Sequence, residues 1–63
     1  MMTVTQKAEI ARHREMMIGY LKEVATIESF DRLTDVQRTR RTVARDKAAS
    51  HSKMIDDIRA AAA

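Results

Sequence analysis

Apolar residues recur along the chain at the three- and four-residue spacings of an α-helix. In the first half, Ile10, Met17, Leu21 and Val24 are separated by multiples or sums of these spacings, so they share one face of a helix. The second half repeats the pattern more weakly, and polar or charged residues fill most of the other positions. The pattern predicts two amphipathic helices and an all-α protein.

Two short motifs mark where these helices begin. The segments TVTQ (Thr3 with Gln6) and TDVQ (Thr34 with Gln37) both match the capping box, in which a Thr side chain and a Gln side chain satisfy exposed backbone N–H groups. The chain of 63 residues then forms one small helical domain over 1–63. We expect helix one over about 3–29, a loop over about 30–34 and helix two over about 35–61.

The connection between the helices carries neither of the residues that most often break a helix. The chain contains no proline and a single glycine, Gly19, which lies inside helix one. An antiparallel two-helix hairpin is the favoured fold, and one continuous helix of about 90 Å is the alternative. Gly19 itself has two interpretations: a close approach of another backbone, or a tolerated surface glycine.

Helix one carries a wider apolar face than a single neighbouring helix covers. Its apolar residues span roughly 200° of a helical projection, twice the stripe needed for one partner. Part of this face is predicted to bind a second copy or a foreign protein, and we call that part the self-association face. It consists of Ile10, Met17, Tyr20, Leu21, Val24 and Ile27.

Helix two offers a narrower apolar stripe, interrupted by Arg40 and Lys47 near its centre. Because helix two covers only part of helix one, we expect the hairpin to pair as a coiled coil and to dimerise into a helical bundle. This plan resembles the small antiparallel helical hairpins that dimerise into four-helix bundles. The residues of the stripe are Val36, Val43, Ala44, Met54, Ile55 and Ile58.

The second half of the chain is basic and the first half is slightly acidic. Residues 1–31 contain four Lys or Arg and five Asp or Glu, a net charge of −1, whereas residues 32–63 contain eight and four, a net charge of +4. On a helical projection Arg38, Arg41 and Arg45 form a line on the side of helix two away from its apolar stripe. We call this line the basic ridge, and it suits phosphates or protein carboxylates.

No group of residues has the spacing of a catalytic or metal site. His13 and His51 have no HExxH motif, cysteine or third histidine beside them, so we expect two exposed or peripheral histidines. Asp56 and Asp57 are adjacent on a helix, and their side chains diverge by about 100°. We therefore expect no enzyme activity, no catalytic residue, no metal and no cofactor.

Together these features predict a non-enzymatic interaction protein that binds a protein surface, of the inhibitor, adaptor or assembly-factor type, and that forms homo-oligomers. The alternative is a nucleic-acid-binding regulator that uses the basic ridge. The longest apolar runs, such as Met16-Met17-Ile18, are three or four residues, far below the roughly 20 that cross a bilayer. We expect no membrane and no small-molecule substrate as partners, and a cytoplasmic location because no signal-peptide pattern is present.

Overall fold

The computed structural model describes residues 1–62, which form two α-helices packed side by side. Helix α1 spans Val4–Glu28 and helix α2 spans Asp35–Ala62. No strand is present within these 62 residues. Ala63, the last residue of the predicted domain, lies outside the described residues.

The predicted all-α antiparallel hairpin is confirmed, and the alternative of one continuous helix is wrong. The amino group of Met1 donates a hydrogen bond to the carbonyl oxygen of Ala62 at 3.2 Å, so the end of α2 lies beside the start of α1. The longest dimension of the molecule is 47 Å, about half that of a continuous helix. The hairpin forms because it buries an apolar strip of each helix that a single helix leaves in water.

Both helices begin at the capping boxes that the sequence predicts. The backbone N–H of Gln6 donates to Thr3 Oγ1 at 3.1 Å, and the N–H of Thr3 donates to Gln6 Oε1 at 2.8 Å. Thr34 and Gln37 make the same reciprocal pair at 3.2 and 2.8 Å. These bonds satisfy backbone donors that have no partner inside the helix.

The end of α1 needs neither glycine nor proline. The N–H of Ser29 donates to Ala25 at 3.1 Å and to Thr26 at 3.2 Å, and its hydroxyl donates to the Thr26 carbonyl at 2.6 Å. Ser29 keeps right-handed helical dihedrals, and no described residue has a positive φ. Serine ends the helix because its side chain competes for backbone carbonyls, and the Thr34 capping box then starts α2.

The least exposed residues follow one strip along each helix, which we call the seam. Its positions alternate in spacing between four and three residues, the spacing that keeps one face of a helix against a neighbour. Six apolar residues are buried there: Ile10, Val24, Ile27, Ala44, Ala48 and Ile55. Between them lie half-buried residues, several of them polar: Gln6, His13, Met17, Tyr20, Gln37, Arg41, His51 and Ile58.

Helix α2 presents a different face to α1 from the one that its apolar residues predict. Ala44 and Ile55 of the predicted stripe are buried, but Val36, Val43 and Met54 are exposed. The seam is therefore rotated by roughly 60° around the α2 axis from the centre of the stripe. Small alanines on α2 face the larger side chains of α1, so shape complementarity has outweighed the greater hydrophobicity of Val and Met.

Candidate interaction surfaces

The predicted self-association face is divided between the interior and the surface of the hairpin. Ile10, Val24 and Ile27 are buried against α2. No other chain can reach them in this fold, so their assignment to an external partner is corrected here. Met17 and Tyr20 are half-buried in the seam, and Leu21 is 48% exposed.

A second group of large apolar side chains remains exposed along one side of the hairpin, and we call it the apolar flank. On α1 the flank includes Met16, which lies on the same side of the helix as Glu23, seven residues later. Glu23 lines a shallow hollow together with Val43 of α2. The side of α1 that carries Met16 is therefore next to the side of α2 that carries Val43. The flank consists of Met16, Phe30, Val36, Val43 and Met54, each between 42% and 63% exposed.

Polar groups border the apolar flank near its middle. The ammonium group of Lys47 lies 5.4 Å from the centre of the Tyr20 ring, within the range of a cation–π interaction. Glu23 and Arg40 line the hollow beside Val43 and also a second hollow beside Phe30, on the same side of the hairpin. The flank thus combines apolar contact area with charges of both signs, as protein-binding surfaces do.

The three arginines of the basic ridge do not form a line of free cations. Arg38 lies 3.9 Å from an Asp35 carboxylate oxygen on its own helix. Arg45 makes an ion pair with Glu28 across the two helices. Arg41 is half-buried, and its Nε is buried with no hydrogen-bond partner among residues 1–62. The projection that placed Arg41 away from the packed face needs correction because α2 is rotated about its axis.

Basic residues nevertheless collect on the side of the hairpin opposite the apolar flank. Arg41 and Arg59 are 18 residues apart and occupy the same row of α2. One hollow on this side is lined by Lys7, Arg14 and Arg59, and another by Arg32, Arg38 and Arg41. We call these six residues the basic side. Lys7 and Arg14 belong to α1, so inspection of the basic ridge on helix two alone does not find them.

His13 and His51 face each other across the middle of the seam. Their Nδ1 atoms are 2.8 Å apart and their ring centres 5.0 Å apart. The rings are half-buried, which is compatible with the expected peripheral position, but their contact was not predicted from the sequence. The spacing of seam residues on each helix is a signal for this pairing, but 38 positions separate the two histidines, and only the packing of the helices brings them together.

Over the described part of the chain, no group of three or more His, Asp or Glu side chains is placed to hold a metal ion. In the same part, neither helix combines the length and the apolar character needed to span a membrane.

Comparisons of the chain with protein-family models, with curated proteins and with solved structures gave no match.

Proposed function

We propose that this protein is a non-enzymatic helical interaction protein that acts by binding the surface of another protein, as an inhibitor, adaptor or assembly factor. The observation that supports this proposal is the apolar flank, whose five large side chains remain about half exposed after the hairpin has closed. Large apolar side chains left exposed along one side of a small helical hairpin are typical of a protein-binding site. The proposal includes no catalytic residue and no cofactor.

The small size of the hairpin core gives a second reason to expect a partner. Only six apolar residues are buried, two of them alanines, and no side chain is fully buried within residues 1–62. A core of this size contributes little to stability, and small chains without disulfides commonly gain stability from association. Full burial of a Val, Met or Phe side chain contributes roughly 1.5–3 kcal/mol, so covering the flank has a large effect on so small a protein.

The chemistry of the flank indicates the kind of partner that fits it. Its apolar row on α2 is interrupted by Arg40 and Lys47, which favours an apolar groove or helix bordered by carboxylates. We expect the cytoplasm to be the location of this complex.

A matched pair of variants tests the proposal. Val43→Asp places a carboxylate on the flank, whereas Thr42→Asp places the same group on an exposed neighbouring position that points away from the flank. Both proteins should remain helical by circular dichroism. In affinity purification from the source cell after nuclease treatment, a defined protein partner should bind the wild type and Thr42→Asp but not Val43→Asp, and titration with the purified partner should repeat this difference.

Two results would contradict the proposal. Val43→Asp could bind the purified partner as tightly as the wild type, which would place the binding surface elsewhere. Recovery of every partner could also disappear with nuclease, which would favour the second candidate function.

The second candidate is a nucleic-acid-binding regulator that uses the basic side. The supporting observation is that Lys7 and Arg14 of α1 lie beside Arg59 of α2, which extends the basic surface beyond the basic ridge. Phosphate contacts by such residues release counterions and make binding depend strongly on salt. The ion pairs of Arg38 and Arg45 count against this candidate because they occupy two of the three cations of the basic ridge.

Salt dependence separates the two candidates. If the basic ridge contacts phosphates, replacing Arg38, Arg41 and Arg45 with Ala should lower the slope of log affinity against log salt by up to about 3. Replacing Lys7, Arg14 and Arg59 should give a similar reduction. If the protein instead binds a protein partner, Val43→Asp should weaken the binding that survives nuclease treatment. Each triple variant should weaken that binding less than Val43→Asp does.

A further inference from the structure

The contact between His13 and His51 brings two nitrogen donors from different helices to one point. The Nδ1 atoms are 2.8 Å apart, so a hydrogen bond between them has one ring donating its Nδ1–H and the other ring accepting it. The ring centres are 5.0 Å apart and the ring planes are tilted by 41°. These values describe an almost head-on approach, with both Nδ1 atoms directed at the space between the rings.

Neighbouring side chains restrict the orientation of the pair. The Tyr20 ring stacks on His51 with 5.8 Å between ring centres and 16° between planes. Lys47 in turn lies over the Tyr20 ring. Both histidines are half-buried, which leaves one side of the pair open to water.

We propose that His13 and His51 form a two-imidazole binding site for a divalent first-row transition metal ion, with Zn²⁺ as the ion that fits best. Neutral imidazole is a common ligand for such ions. Two imidazoles bound to one tetrahedral Zn²⁺ at about 2.0 Å place their ring centres roughly 5 Å apart, which matches the observed separation. The rings need only turn in place, so that the Nδ1 atoms separate by roughly 0.5 Å and converge on the ion.

The exchange of hydrogen bond for metal requires no net loss of protons. In the hydrogen-bonded pair, the donor ring carries its proton on Nδ1 and the acceptor ring carries its proton on Nε2. Metal binding needs the lone pairs of both Nδ1 atoms, so the donor ring transfers its proton to Nε2 through water and becomes the other tautomer. Water molecules complete the coordination on the open side of the pair.

The bound ion would join the two helices near the middle of their contact. Its ligands are 38 positions apart in the chain, so the unfolded chain brings them together only at the entropic cost of closing a long loop. The ion therefore binds the folded hairpin in preference to the unfolded chain and stabilises it. The fold itself rests on the apolar seam and does not depend on the ion.

Titration of the full chain with Zn²⁺ tests the proposal. Calorimetry should give one ion per chain, and NMR should show shifts of the ring signals of both histidines with the same titration curve. The ratio of folded to unfolded protein should rise about 100-fold when free Zn²⁺ is 100 times its dissociation constant, seen as an increase in Tm. Mg²⁺ should have no effect, because it prefers oxygen ligands.

Variants identify the ligands. His13→Gln and His51→Gln should each remove Zn²⁺ binding, whereas Tyr20→Phe should retain it because it leaves both imidazoles and an aromatic ring in place. The NMR titration of the wild type decides the question even if a histidine variant fails to fold. The proposal is overturned if about 1 mM Zn²⁺ leaves the histidine signals of the folded protein unchanged. It is also overturned if folded histidine variants bind with wild-type affinity, or if one ion is shared by two chains.

Discussion

Gly19 is the residue whose replacement should stabilise the hairpin. It lies inside α1, and a Cβ atom built on it meets nothing within 4 Å. Because glycine loses more backbone entropy than alanine in a helix, Gly19→Ala should raise the free energy of unfolding by about 0.5–1 kcal/mol. Urea denaturation at one fixed protein concentration measures this change, and Ala25→Gly, at another exposed position of α1, should lower stability by a similar amount.

The opposite result at Gly19 would have a specific meaning. A loss of stability or of self-association in Gly19→Ala would indicate that another backbone approaches this position in the assembled protein. Within a single hairpin the structure leaves that position open.

Val24 and Leu21 should respond differently to the same substitution, although both belong to the predicted self-association face. Val24 is 7% exposed and packs in the seam, whereas Leu21 is 48% exposed. Val24→Asp places an unpaired carboxylate in the core and should cost at least about 3 kcal/mol, enough to unfold a small hairpin. Leu21→Asp keeps its charge in water and should cost about 1 kcal/mol.

Circular dichroism and thermal unfolding measure this difference. Equal destabilisation by the two substitutions would show that Leu21 is buried in the protein as it exists in solution. That burial would require an oligomer whose interface includes the side of α1 where Leu21 lies.

At the scale of the helices, the capping box at the start of α2 takes the place of a glycine or proline in defining the turn. Thr34→Ala removes the hydroxyl that accepts from the Gln37 N–H and should lower stability by about 1 kcal/mol. Thr42→Ala, at an exposed position inside α2, is the matched control. It should be neutral or slightly stabilising, because Ala is the better helix former.

Equal urea midpoints for Thr34→Ala and the wild type would show that the cap contributes little. The turn would then depend on the seam contacts alone. Amide hydrogen exchange at the first turn of α2 gives the local readout, since loss of a cap increases fraying there.

The rotation of α2 shows which part of its packing the sequence predicts. Its apolar residues correctly predict a helix and its capping box correctly predicts the start, but the apolar pattern places Arg41 on the far side from α1. In the structure Arg41 lies along the seam with Ala44 and Ala48. A helical projection predicts the buried face of a helix from the hydrophobicity of its residues alone. The face that is actually buried also depends on how small and large side chains fit between the two helices.

At the scale of the whole molecule, we expect the isolated protein to self-associate through the apolar flank. The seam leaves Met16, Val43 and Met54 about half exposed, and a second copy offers the same apolar surface. Sedimentation equilibrium at about 100 μM should give a dimer or higher oligomer, since exposed apolar side chains favour association. Val43→Asp should shift the equilibrium towards monomer, and Thr42→Asp should leave it unchanged.

A well-folded monomer at that concentration would contradict self-association and leave the flank to a foreign partner. Arg41→Glu, a charge change on the side of the hairpin opposite the flank, is not a suitable control for Val43→Asp. Its Nε is buried, so the substitution also disturbs the seam.

The sequence by itself determined the local structure of this protein: two helical segments and both capping boxes. These features depend on interactions between residues a few positions apart, which the order of the residues specifies directly. Tertiary structure decided which face of α2 is buried, that Ile10, Val24 and Ile27 lie inside the hairpin, and that His13 meets His51. Those outcomes depend on the rotation and alignment of two helices, and both are set by side-chain fit between residues far apart in the chain.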